Sequence, residues 1–211
     1  MFIYNSDELY KKLSLQSLLN ENTDPTWWPN YGTFEVVIGA ILTQNTNWNR
    51  VQISLQNLQV NGLLKLETLF TCEDALLMEC IRPSGMFVNK AKYLKALAGA
   101  IVEDFGNFKS FTCKVDREWL LHVKGIGKET ADSILCYACE RPIMVVDTYT
   151  HRLLRALGYE FESYDDLQEW CMLGMGDDAK LFAHYHGLIV EYVKANSKAK
   201  EVITTPLMQL K

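Results

Sequence analysis

No stretch of this 211-residue sequence approaches the roughly 18 uninterrupted apolar residues of a membrane span, so no transmembrane helix is expected. Low-complexity tracts and fixed-period repeats are also missing, which excludes solenoids and compositional linkers. Basic surplus is absent as well: 21 Lys and Arg stand against 26 Asp and Glu, a net charge of -5. Strong phosphate binders usually carry the opposite balance. If this chain grips a polyanion, its basic residues must cluster on one face, or binding must be weak and salt-sensitive. Met1 to Tyr10 carries Asp7 and Glu8 and no long apolar run, so no secretory signal is expected. A cytoplasmic location follows, with the six cysteines held as reduced thiols. Strand patterns are scarce. The best, Ile143 to Val146, follows Pro142 and leads into Asp147, and reads as an extended connector.

What is present is apolar and helical. Hydrophobic residues make up 48% of the chain, enough for a sizeable core. Phe34 to Leu42 reads as a buried helix. Asn89 to Asp104 sets Ala91, Leu94, Leu97, Ala98 and Ile101 at helical spacing. Trp119 to Val123 and Thr130 to Cys139 form two helical pieces around a glycine turn. Leu153 to Leu157 continues a helix that Gly158 terminates, and Asp165 to Leu173 and Ala183 to Lys194 add two more. The fold class is all-α.

The glycine turn is the most informative segment. In Lys124-Gly125-Ile126-Gly127-Lys128-Glu129-Thr130, one helix has ended and another begins. Gly125 and Gly127 both tolerate positive φ. Backbone N–H groups at the new helix start then point outward, at the favourable end of the helix dipole, where a phosphate oxygen fits. Ile126 tucks into the core, and Lys124 and Lys128 add positive charge. An ordinary αα-turn is the alternative. Asp147, between an apolar connector and a helix, is an N-cap candidate accepting from Tyr149 or Thr150. Those bonds and the helix N-terminus favour an ionised carboxylate. Cys136-x-x-Cys139 lies inside a helical apolar stripe and reads as core packing. His184-x-His186 lacks an obvious third ligand and reads as structural.

Val123 to Ala131, followed by Pro142 and Val145-Val146-Asp147-Thr148, resembles the helix-hairpin-helix of the endonuclease III superfamily of DNA glycosylases. Leu42-Thr43-Gln44-Asn45-Thr46 and Arg82-Pro83-Ser84-Gly85-Met86-Phe87 with Lys90-Ala91 resemble the family's earlier segments. The likeness runs in order from Tyr31 to Gly158. It implies two helical lobes with a DNA-binding cleft between them. One is a central domain over 34–141; the other joins 1–33 to 142–211. The implied partner is double-stranded DNA carrying a damaged base, met by a monomer.

The resemblance makes Asp147 the catalytic carboxylate, stabilising an oxocarbenium-like sugar and orienting or deprotonating water. Gln44 and Asn45 belong to the segment that enters the DNA, although Gln44 also suits a polar helix cap. Lys124, Gly125, Ile126, Gly127, Lys128 and Thr130 form the phosphate grip. Family members that also cut the strand carry a lysine two residues after the second glycine, for a Schiff base. Here Glu129 holds that position, and it either steadies the water or is a solvated first-turn acid. Lys128 is one helical step, about 100°, away. A monofunctional enzyme is expected.

No cysteine follows Cys171, so the family's C-terminal iron–sulfur cluster is not expected, and no other cofactor is implied. A monovalent cation at the carbonyls of Leu121, Val123 and Ile126 is a family habit without side-chain evidence here. Trp27-Trp28-Pro29 and Trp48 offer aromatic faces for an everted base, worth about 1–3 kcal/mol per base stacked. They would suit a cationic alkylated purine, although interior packing is the alternative. Length, Glu129, the missing cluster and the Trp-Trp-Pro segment resemble the 3-methyladenine glycosylase branch. Three other readings stay open: an endonuclease III-like lyase on oxidised pyrimidines, the same chemistry on mismatched adenine or uracil, and a non-catalytic DNA-binding module.

Overall fold

The computed structural model describes residues 3–19, 26–198 and 201–209. Residues 1–2, 20–25, 199–200 and 210–211 lie outside the described residues, and with them part of the basic tail Lys194 to Lys200. In chain order the helices are α1 (Ser6–Ser14), α2 (Phe34–Leu42), α3 (Trp48–Val60), α4 (Leu66–Thr71), α5 (Asp74–Ile81), α6 (Phe87–Phe105), α7 (Phe108–Lys114), α8 (Arg117–His122), α9 (Lys128–Ser133), α10 (Thr148–Ala156), α11 (Tyr164–Met172), α12 (Ala179–Asn196) and α13 (Thr205–Gln209). A 3-10 turn, Arg82–Ser84, precedes α6, and a π-helical turn, Ile134–Ala138, extends α9. The class is all-α. One departure is a two-residue antiparallel pair, with Ser197 opposite Val202 and Lys198 opposite Glu201. It falls just after α12, where the sequence carries no strand signal. Pairing this short carries no periodicity to read. Ile143 to Val146 is an unpaired extended connector, as expected.

The chain divides into two compact units, Met1–Pro29 with Arg141–Lys211, and Asn30–Glu140. In the second, central unit, α2 buries every residue except Glu35 and packs on α3, α6, α9 and the π turn. Its last carbonyls lack intrahelical partners. Lys90 of α6 supplies one: its ammonium donates to Leu42 O (2.8 Å), Thr46 Oγ1 (2.7 Å) and Ser84 O (2.9 Å). The side chain is 1% exposed, and burial lowers its pKa to about 8. Thr46 also donates to Ser84 O (2.6 Å), so one turn after α2 is bound to the 3-10 turn before α6.

The hairpin between α8 and α9 sits in the same unit. Val123 N–H returns to Leu120 O (3.0 Å) and Ile126 N–H to Val123 O (3.1 Å), closing the turn. Ile126 is buried. Gly125 has φ +90°, and a Cβ there would lie 2.3 Å from Cγ of Tyr93. Both the backbone and the aromatic ring above it therefore demand glycine. Gly127 departs from expectation. It is extended (φ -94°, ψ 176°), as an N-cap residue is, and its missing Cβ would meet nothing within 4 Å. Arg117 of α8 clamps the two helices through a bidentate pair with Asp132 of α9 (Nε–Oδ1 2.7 Å, Nη2–Oδ2 3.0 Å). Asp132 is fully buried.

In the terminal unit α12 packs on α10 and α1, and α1 also meets α11. Buried Ser6 of α1 donates to Cys171 O (2.5 Å), and its hydroxyl lies 3.1 Å from that of Tyr185, tying these helices at one point. Gln168 of α11 donates to Met144 O (2.6 Å), fastening the connector that delivers Asp147.

Two stability outcomes are expected. Removing one partner of an ion pair costs most when the charge left behind is buried, so Arg117→Ala, which strands the fully buried Asp132 carboxylate, should lower the unfolding free energy by about 3–5 kcal/mol in a urea titration. The hairpin glycines should behave oppositely. Gly125→Ala should cost at least about 2 kcal/mol, or roughly 4–8 °C in Tm, whereas Gly127→Ala, which loses only the N-cap preference for glycine over alanine, should cost about 1 kcal/mol or less. Equal melting of the two glycine variants would contradict the assignment.

Candidate active site

Asp147 caps α10 with one oxygen. Its Oδ1 accepts from Thr150 N (2.9 Å) and Thr150 Oγ1 (3.1 Å). Its Oδ2 lies 3.4 Å from Nε2 of His186, on α12. The Asp147 side chain is 14% exposed and His186 only 4%. Burial alone would raise the carboxyl's pKa. The His186 imidazole beside Oδ2, together with the Thr150 N–H and hydroxyl on Oδ1, outweighs it, and the net shift is downward. Asp147 is therefore an anion whose two oxygens have different surroundings.

His186 also packs edge-on against Trp27, with ring centroids 5.3 Å apart and planes at 80°. Trp27 has left-handed backbone (φ +64°) and lies so close to α12 that a Cβ on Gly187 would be 2.4 Å from its Cγ. Its indole N–H donates to Glu191 Oε1 (3.2 Å), and Lys194 lies 5.7 Å from the ring centroid while bonding the same Glu191 oxygen (2.9 Å). Trp28 does not extend this into one flat aromatic surface. Its ring stands at 90° to that of Trp27 and is 7% exposed, so it belongs to the interior. Pro29 beside it is exposed. Sequence reading took His186 as structural and gave Gly187, Glu191 and Lys194 no place in the site. His184-x-His186 was the available signal, but residues two apart on a helix point in different directions. His184 meets Tyr10 (3.2 Å) while His186 meets Asp147.

The other candidates lie in the central unit. Gln44 follows α2, and its amide donates to Gly125 O (2.9 Å) and Thr130 Oγ1 (3.0 Å). It is thus held against the hairpin and does not project into open space. Thr130 is 7% exposed, so its hydroxyl serves this internal bond instead of facing outward as a phosphate donor. Asn45 is exposed, with left-handed backbone (φ +51°). Lys124, Gly127, Lys128 and Glu129 are exposed around the start of α9, and Gly127 offers no side-chain cap to its first N–H groups. Trp48, half-buried, opens α3. Cys136 is fully buried in the π turn and Cys139 is 7% exposed beside it. Burial, with Asp132 nearby, pushes the Cys136 thiol well up, which suits a packed thiol and not a thiolate ligand.

Residues 38–170 match the HhH-GPD superfamily of base excision DNA repair proteins. A protein of Methanocaldococcus jannaschii, assigned as a DNA repair glycosylase, is 40% identical over 191 residues, 87% of this chain and 86% of that one. The crystal structure of the 3-methyladenine DNA glycosylase of H. pylori bound to 1,N6-ethenoadenine is similar with a TM-score of 0.87 and 41% identity, covering 92% of this chain and all of the other. A non-covalent endonuclease III–DNA complex shares the fold alone, at a TM-score of 0.77 and 18% identity over 99% of this chain and 95% of that one. The chain is a DNA glycosylase of the HhH-GPD superfamily of base excision DNA repair proteins.

Proposed function

We propose that the chain is a monofunctional glycosylase acting on an alkylated purine, such as 3-methyladenine, in double-stranded DNA. The observation that carries this reading is the grouping around His186: an ionised carboxylate and the Trp27 ring both lie against the imidazole. A glycosidic cleavage needs both a negative charge for the sugar and a face for the base. The 41% identity to a 3-methyladenine glycosylase holding an etheno-purine supports the choice of lesion.

In the proposed reaction the C1′–N bond breaks and its electron pair leaves with the base, neutralising the alkylated ring. Positive charge gathers on the sugar, and the Asp147 carboxylate stabilises it. Water adds to C1′, and its proton passes to Asp147 or solvent. A cationic base is already a good leaving group, so little acid catalysis is required. Trp27 gives the base an aromatic face. Lys194 beside that ring would repel a cationic purine, but Glu191, bonded to both Lys194 and the indole, offsets its charge. Trp48 is a second stacking candidate.

The exposed backbone at Gly127, with Lys124, Lys128 and the start of α9, would hold a phosphate while Gln44 and Thr130 brace the turn behind it. Glu129 stands where a strand-cutting relative would need a lysine, and a carboxylate forms no imine. A role for Glu129 in steadying the attacking water belongs to the same proposal. A monovalent cation at the Leu121, Val123 and Ile126 carbonyls would find the Val123 oxygen already accepting one bond (3.1 Å), with one lone pair left. The reading includes no iron–sulfur cluster and a monomer working on the chromosome in the cytoplasm.

Base release from a methylated duplex tests this. Free base should appear with strand breaks only after alkali, and borohydride should trap no covalent adduct. A trapped adduct would favour the lyase reading. Asp147→Asn should cut excision by about a hundredfold or more with duplex binding retained, which separates an enzyme from a binding module. Because the Asp147 pKa is depressed, its charge persists above the folded-state value. Excision should hold as pH falls through 5 and decline only below the ordinary aspartate range of about 3.9. The accompanying stability is present above the unfolded-state pKa and is lost as pH drops through the folded one.

A further inference from the structure

We propose that His186 is a positioning residue for Asp147, fixing the plane of its carboxylate and coupling it to the ring of Trp27. This rests on the reading of Asp147 as the carboxylate that faces the sugar. Thr150 holds only Oδ1, through its N–H (2.9 Å) and hydroxyl (3.1 Å), and both belong to α10 itself. With that anchor alone the carboxylate would pivot about Oδ1. A second point from another helix limits that freedom, and His186 of α12 offers one: its Nε2 stands 3.4 Å from Oδ2, an electrostatic contact longer than a well-aligned hydrogen bond. An imidazole only 4% exposed cannot easily turn away to water.

The same turn of α12 governs Trp27. The ring lies edge-on to His186 and covers Gly187, where any Cβ would stand 2.4 Å from Cγ. Glu191, farther along α12, takes the indole N–H. Residues 186–191 therefore set both the aromatic face and the carboxylate from one rigid element. Catalytic groups work best when held to a fraction of an ångström, and a partner that fixes the orientation of a carboxylate commonly matters as much as the carboxylate's own placement.

The groups that bear on the carboxylate are His186 from α12 and Thr150 from α10. Glu191 and Lys194, farther along α12, are bonded to each other (2.9 Å) against Trp27. A pH profile thus reads the His186 contact with little interference from that pair.

The test is single-turnover base release from a methylated duplex across pH 3–8, with affinity for an uncleavable duplex and a thermal melt as controls. His186→Phe keeps an aromatic edge for Trp27 but removes the ring nitrogen. Its rate should fall roughly tenfold or more with affinity nearly unchanged, and its acid limb should move up by about one pH unit or more. His186→Gln retains an amide nitrogen near the ring Nε2 and should fall between Phe and the parent in both respects. An acid limb unmoved in His186→Phe, or identical Phe and Gln variants, would overturn the proposal. Should the Phe variant fail to fold, carbon-13 titration of Asp147 in the parent and His186→Gln decides. The pKa should rise in the variant, and an unchanged value would overturn the coupling. If the parent releases no base at all, the functional reading fails, while the titration still reports on the contact.

Discussion

A carboxylate that begins a helix with one oxygen and meets a buried imidazole with the other is the contact on which the terminal unit turns. Capping and chemistry are often treated as competing explanations for an aspartate before a helix. In Asp147 they reinforce each other. The bonds that satisfy α10 also stabilise the ionised form, against a burial that by itself would protonate it. The connector before it cannot drift, since Gln168 holds the Met144 carbonyl.

The central unit solves a different problem, which is to keep a tight turn exact while leaving its outer edge uncovered. Tyr93 presses on Gly125 from inside, Gln44 bonds the Gly125 carbonyl, and Arg117 locks Asp132 across the two helices. Every constraint comes from behind. Gly127 has room for a side chain and an unstrained backbone, and its place as the N-cap of α9, where glycine is favoured over most residues, accounts for it without any demand on φ.

Much of the helical framework was legible because its signals are local. Phe34 to Leu42 reads as a buried helix and is one, residue for residue. Asp147 was legible as a cap because an aspartate after an apolar connector has few other uses. Both hairpin glycines were legible as tolerating positive φ, and only Gly125 adopts it, because an N-cap residue takes extended backbone. Contacts between distant segments were not legible. Neither His186 beside Asp147 nor Arg117 against Asp132 leaves a periodic trace. The ring orientation of the adjacent tryptophans was not legible either: they stand at 90° to one another.

Lys90 has an implication for motion. Its ammonium is shared among the end of α2, the turn through Thr46 and the Ser84 carbonyl. Peeling away any one of these would strand a desolvated cation among too few oxygens, a cost far above that of ordinary fraying. The three segments must therefore open together or not at all. The loop bearing Gln44 and Asn45 is consequently stiff before any nucleic acid arrives, and its ordering entropy is settled during folding instead of during association.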